Sequence, residues 1–301
     1  MALSMLSGDQ QRSVFHRVCN LLDPRDAVAF SSVDRELRAS TEALLKQLRT
    51  DHEAATALCH KVGLRSCKEL REAKTVQWVD KRLSATDLAT LGTLSSVLPE
   101  LESLLIAEYS ANGLDGVQRL AEGLGAGALP AVAFLAFVNL YVGGAGASSA
   151  LAAALGRGAL PRLRHLKLGR NAIRDAGLVA LAPALRRMPA LENLDLGSNP
   201  FGDEGLAALV APLPPAGALP PTTGVLKKLK TLDLSYTEVS DAGCTALASA
   251  LNSGALPALK ALMLEGIPAS AAAKAAVYEA RDTLEHEASG PQPDSESEED
   301  E

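Results

Sequence analysis

Residues 160–187 read LPRLRHLKLGRNAIRDAGLVALAPALRR, and residues 188–213 follow them position by position as MPALENLDLGSNPFGDEGLAALVAPL. Leu163, Leu166 and Leu168 in the first copy match Leu191, Leu194 and Leu196 in the second, so each copy opens on a short alternating apolar run. A D-x-G triplet then leads into a stretch whose apolar residues recur at helical spacing, the signature of a strand followed by a helix. One such unit has an apolar face that it cannot bury alone. Stacked copies supply the missing cover, so the repeat predicts an elongated solenoid in place of a globule.

Sliding the template L-P-x-L-x-x-L-x-L, D-x-G, L-x-x-x-L along the chain places further copies at Leu98, Leu129, Leu226 and Leu256. The six units run to roughly 28 to 31 residues, with a longer fourth, which leaves room for a full helix after each strand. The expected class is therefore α/β, with a parallel sheet on the concave face and helices on the convex face. Asp175, Asp203 and Asp241 precede the helical runs and read as caps for their own helices. Gly177, Gly205 and Gly243 stand two positions later, where a missing side chain allows close approach to a neighbour. Asn171 and Asn199 are placed to tie down the turn that leaves the strand, a position held elsewhere by Tyr109, Leu140, Thr237 and Ile267.

Over about residues 98–281 these units resemble leucine-rich repeats of the ribonuclease-inhibitor subtype, similar to those of Ran GTPase-activating proteins. The turn asparagine is missing from four of the six units, which makes the outer repeats irregular, as capping repeats often are. LSATDLATLGTLSSV, residues 83–97, resembles the helical half of a unit and is expected to close the first end. IPASAAAKAAVYEAR, residues 267–281, is expected to close the other.

The hundred residues before the repeats carry a different pattern. SVFHRVCNLLDPRDAVAFSSVDRELRAS, residues 13–40, places Val14, Val18, Leu21 and Leu22 at helical spacing. Asp23 then stands as a helix cap with Pro24 at the first helical position, and Asp34 as the cap of a third helix running toward Leu44 and Leu48. This stretch resembles an F-box in its Leu22 to Asp26 phrase, LDPRD, in Ser32-Val33 and in Arg35. It departs from the F-box pattern where Ser7-Gly8-Asp9 replaces the leucine-proline opening and Leu37 the third-helix tryptophan. The resemblance implies docking onto a Skp-type adaptor of a cullin ubiquitin ligase, with Val14, Val18, Leu22, Pro24 and Val33 on the adaptor surface or supporting it.

The organisation expected from these readings is an F-box-like helical domain over 1–50, a helical linker and cap over 51–97, repeats over 98–281 and a disordered acidic tail over 282–301. Charge follows the same division. Residues 1–97 carry 14 basic and 12 acidic side chains, residues 98–281 carry 15 of each, and residues 282–301 carry 9 acidic and no basic ones. A tail of this composition cannot bury enough apolar surface to order itself and solubilises the chain; Ser295 and Ser297, each followed three positions on by an acid, also resemble casein kinase 2 acceptor sites. Nucleic acid is not an expected partner. With no apolar run of about 20 residues and no signal-peptide pattern at the start, membrane association is not expected either. Four cysteines without a framework of spacings suit a reducing cytoplasmic or nuclear setting.

Strand alternation nominates a binding face, because side chains that flank the buried leucines point to the concave side. One column reads Ser103, Phe134, His165, Asn193, Thr231, Ala261, and the next reads Leu105, Ala136, Lys167, Asp195, Asp233, Met263. Phe134, His165, Lys167, Arg170, Asp195, Asp233 and Tyr236 form a mixed patch of types that often anchor interfaces, with ordinary solvated surface as the equal alternative.

Chemistry is not in view. His52, Cys59, His60 and Cys67 lack the paired spacing of a zinc site, and the glycines of 123–127 follow a helix and precede a strand, the reverse of a phosphate loop. No catalytic residue, metal or cofactor is expected. The reading is a non-catalytic interaction module, the substrate-recognition subunit of an SCF-type ubiquitin ligase with a substrate protein as second partner. Its alternatives are a Ran-type activator acting on a small GTPase and a scaffold with no ligase role.

Overall fold

The computed structural model describes residues 35–109, 115–144, 146–210 and 226–289. Helices α1 (Arg35–Val62) and α2 (Cys67–Glu72) come first and are followed by strand β1 (Thr75–Val79) and helix α3 (Ala85–Leu94). The chain then alternates through β2 (Ser103–Ala107), α4 (Gly116–Gly123), β3 (Phe134–Val138), α5 (Ala147–Gly156), β4 (His165–Lys167) and α6 (Asp175–Leu185). It continues through β5 (Asn193–Asp195), α7 (Asp203–Val210), β6 (Thr231–Asp233), α8 (Asp241–Asn252), β7 (Ala261–Met263) and α9 (Ala271–Ser289). The strands form one parallel sheet in sequence order, β1 to β7. Each helix from α3 onward packs on the next, and α1 packs on α3 at the first end. Strands lie about 4.8 Å apart and packed helices about 8 to 10 Å apart, so a sheet on one side and helices on the other must curve with the sheet inside.

The template leucines are the core. Leu163, Leu166 and Leu168 are buried, as are their counterparts Leu191, Leu194 and Leu196, and the apolar residue two places after each turn joins them: Val142, Ile173, Phe201 and Val239. The sheet has one strand more than the template finds. In β1 the template leucines are replaced by Val76 and Trp78, both buried, which pair in register with Leu104 and Ile106. The segment 51–97, expected to be helical, thus contains a strand, and residues 83–97 are the helical half of a seventh unit.

Two further boundaries differ from expectation. Helix α1 runs unbroken across residue 50, the expected end of the F-box-like domain. Helix α9 continues to Ser289, past the expected start of the tail at 282, through residues rich in strong helix formers such as Ala, Glu and Leu. Residues 1–34 lie outside the described residues, and with them Val14, Val18, Leu22, Pro24 and Val33; so do Ser295 and Ser297. Among the described residues no helix is long and apolar enough to cross a membrane.

The polar residues of the template join one unit to another. Asn199, buried, accepts from the backbone N–H groups of Asn171 and Ile173 at 2.9 and 3.0 Å and donates to the carbonyls of Leu168 and Leu196 at 2.9 and 2.8 Å. Asn171 repeats this one unit earlier, accepting from Leu140 N–H at 2.9 Å and donating to Phe137 O at 2.7 Å. The turn asparagines therefore reach back to the preceding unit as well as closing their own turns.

The aspartates correct their reading as caps of their own helices. Asp175 is the first residue of α6 and makes no cap bond there; its Oδ1 accepts from Gly202 and Gly205 N–H, both at 2.8 Å, at the start of α7. Asp203 likewise takes the backbone N–H and hydroxyl of Ser240 before α8, and Asp241 takes Ser270 N–H before α9. Asp175 thus caps the helix of the following unit, whereas α8 and α9 are capped by their own Ser240 and Ser270 hydroxyls, and Asp203 and Asp241 hold those serines in place. This is why a glycine stands in the receiving turn: a Cβ at Gly205 would lie 2.9 Å from Asp175 Oδ1, and one at Gly243 would run into Asp203 Oδ1.

Candidate interaction face

The ladder pairs Ser103 with Phe134, Phe134 with His165, His165 with Asn193, Asn193 with Thr231 and Thr231 with Ala261, so the column expected from alternation is the column observed. Thr75 and Gln77 of β1 extend the two columns by one unit. All seven residues of the expected patch fall on this face or at its rim. Phe134 and His165 are neighbours across β3 and β4, with ring centroids 6.3 Å apart, and Lys167 Nζ lies 5.8 Å from the Phe134 centroid. Lys167, Arg170, Asp195, Asp233 and Tyr236 all line one open groove of about 390 Å³, together with Val138 and Met263.

Two carboxylates stand side by side in this groove, since Asp195 and Asp233 are direct partners across β5 and β6. Each accepts from a backbone N–H in its own turn: Gly197 donates to Asp195 at 3.0 Å and Ser235 to Asp233 at 2.8 Å. Partial burial, and then the neighbouring Asp233 charge, push the Asp195 carboxyl above its ordinary range against the opposing pull of Gly197 N–H and Lys167. Lys167 and Arg170 are exposed on the adjacent unit and form no ion pair among the described residues. The face is thus split between a cationic strip on β4 and an anionic strip on β5 and β6.

The rim is held by an unusual backbone. Asn139, Arg170, Ser198 and Tyr236 occupy the same place in successive units, and all have positive φ, between 55° and 59°. The left-handed region costs a residue with a Cβ about 1 to 2 kcal/mol, offset at Arg170 and Ser198 by the hydrogen bonds of the buried Asn171 and Asn199 beside them. In the next unit the position is Gly266, whose missing Cβ leaves room for the ring of Tyr236, itself 64% exposed. Arg170 also borders a second groove of about 580 Å³ with Tyr109 and Tyr141.

Glu108 is the residue the template missed. It is buried, and its carboxylate accepts from Arg82 and Leu83 N–H at 3.0 and 2.9 Å in the unit before. It does for the first units what the turn asparagines do for the central ones. Tyr109, which occupies the asparagine position by count, instead points to solvent, 68% exposed. The available signal was an acidic residue in the turn of a unit lacking its asparagine.

The cysteines that the structure describes lie away from this face. Cys59 and Cys67 are buried with their sulfurs 3.9 Å apart between α1 and α2, and burial followed by the neighbouring Cys67 pushes the Cys59 thiol up to about 12. Among the described residues no three histidine, cysteine or acidic side chains are grouped as metal ligands would be.

The sequence profile described as "Leucine Rich repeat" matches residues 160–182, 188–210 and 225–248, the region that carries every patch residue except Phe134. The chain therefore contains leucine-rich repeats, units whose stacked sheets present an extended surface to protein partners. No curated protein matches it. Among solved structures it is similar to leiomodin-1 actin-binding site 2, with a TM-score of 0.41 and 12% identity over 68% of this chain and 91% of that one. The tropomodulin C-terminal domain of Caenorhabditis elegans gives a TM-score of 0.40 and 15% identity over 68% and 95% of the two chains. An internalin of Listeria monocytogenes gives 0.33 and 16% over 63% and 48%. Likenesses this distant say nothing of what the present chain binds.

Proposed function

We propose that this chain is a non-catalytic protein-binding module of the cytoplasm or nucleus, and that its concave face is the substrate site of an SCF-type ubiquitin ligase receptor. The observation that carries the binding role is the gathering of Lys167, Arg170, Asp195, Asp233 and Tyr236 around one groove on a face with no covering element among the described residues. A split of charge, with an exposed tyrosine and arginine at the rim, favours a partner of defined register over a general sticky surface. The ligase role rests on the F-box-like stretch 13–40 and implies action by proximity: a substrate held on the repeats is concentrated near the ligase without any chemistry here.

The two roles separate by mutation. Pull-down of the full chain with a Skp-type adaptor is expected to fail for Leu22→Asp with Val33→Asp and to survive Lys167→Ala, Arg170→Ala and Tyr236→Ala. Ubiquitylation-dependent turnover of the bound substrate is expected to fail for both sets. Adaptor binding absent in the folded wild type removes the ligase role and leaves an interaction scaffold.

A further inference from the structure

The edge at which the strands begin carries a row of cations, and helix α9 runs toward that same edge. Arg164, Lys230 and Lys260 directly precede β4, β6 and β7, and Arg162, Lys227 and Lys228 stand just before them in the turns. All six are exposed. The one carboxylate within the row, Glu192 before β5, is already taken: Lys230 Nζ lies 2.8 Å and Arg164 Nη1 3.8 Å from its oxygens, and the Lys230 hydrogen bond holds its carboxyl below the ordinary range. Arg162 and Arg164 also line a shallow groove of about 610 Å³ at this edge.

Helices α8 and α9 start level, because Asp241 at the head of α8 caps the Ser270 N–H just before α9. Each helix returns toward the edge where the next strand begins. With 19 residues against 12, α9 overshoots α8 by about 10 Å at 1.5 Å per residue, so Ser289 stands beyond the end of α8. Residues 290–301, outside the described residues, hold six acids and no base, Asp294 and Glu296 followed by Glu298 to Glu301. Three strand spacings, about 15 Å, separate β7 from β4, well within the roughly 40 Å reach of twelve residues.

We propose that the acidic segment 290–301 docks in cis along the cationic row from Lys260 to Arg162, covering the strand-start edge of the repeats. Tethering gives the segment a local concentration near the millimolar range, enough for a contact built from several weak ion pairs. The docked segment borders the concave face and competes with any acidic partner for Arg162 and Arg164. This contact stands on the charge map and does not depend on what the concave face binds.

Zero-length carboxyl-to-amine cross-linking of the full chain, read by peptide mass spectrometry on the monomer, tests it. Carboxylates of 290–301 are expected to link to Lys227, Lys228, Lys230 and Lys260 at least about fivefold more than to Lys167 or Lys61, and the excess is expected to vanish at 0.5 M salt, where screening shortens to about 4 Å. Arg162→Glu with Arg164→Glu, which keeps every lysine, is expected to reduce the links while the melting curve stays in place. If that variant unfolds, the salt series on the wild type decides. Links spread evenly over exposed lysines, links insensitive to salt, or links formed between isotopically distinct molecules in a mixed sample would overturn the proposal.

Discussion

The central repeats and the outer ones solve the same problem by different means. In residues 160–210 a buried asparagine in each turn satisfies backbone groups on two units at once, through four good hydrogen bonds in the case of Asn199. In the unit that follows, Thr237 makes a single bond to Leu234 O at 2.7 Å, and Leu140 and Ile267 place an apolar side chain there. At the first end the acceptor is Glu108, one position earlier than the template predicts. Stacking of apolar side chains, mostly leucines, is common to all units, so the difference lies in how completely the buried backbone between them is satisfied. Of the proposed binding patch, His165, Lys167, Arg170 and Asp195 sit on the units where that satisfaction is fullest, and Phe134, Asp233 and Tyr236 lie on the units to either side.

Removing the largest member of this network should show the contrast most strongly. Asn199→Leu strands two backbone donors and two acceptors in the core and is expected to cost about 3 to 5 kcal/mol in urea unfolding, against about 1 kcal/mol for Thr237→Val. Equal costs would mean that leucine stacking alone holds the units together. Glu108→Ala leaves the N–H groups of Arg82 and Leu83 without an acceptor, an expected loss of about 2 to 3 kcal/mol. Its hydrogen-exchange signature should be confined to β1, α3 and β2. Asp175→Ala removes the cap of the next unit's helix and is expected to cost about 1 to 2 kcal/mol, with α7 fraying before α6; fraying of α6 first would restore the conventional cap.

The smallest effect has the opposite sign. Burial and Asp233 raise the Asp195 pKa in the folded protein, so its ionised form is disfavoured at neutral pH and the penalty is relieved as pH falls through the folded value. Asp195→Asn keeps the acceptor for Gly197 N–H and is expected to stabilise by a few tenths of a kcal/mol at pH 7, a gain that disappears in acid. A destabilised variant would mean that Lys167 already outweighs Asp233.

Much of this arrangement was legible in the sequence because leucine spacing dictates which side chains are buried. The cross-strand columns follow from it, and with them the placing of Lys167, Asp195 and Asp233 on one face. Strand β1 was hidden because Val76 and Trp78 fill leucine positions and Lys81 stands where the asparagine would be. The forward reach of Asp175, Asp203 and Asp241 was hidden for another reason: a carboxylate beside a helix start fits a local cap equally well, and only the stacking distance shows which N–H it meets. Glu108 combines both difficulties.

Amide hydrogen exchange on the full chain is the most direct test of the claim that cross-unit asparagines make the central repeats the firmest part of the proposed binding face. The amides of Leu140, Asn171 and Ile173, all bonded to asparagine side chains, should be among the slowest to exchange, and those of β7 and its turn should exchange well before them. Exchange that is uniform along the sheet, or slowest at β7, would contradict it.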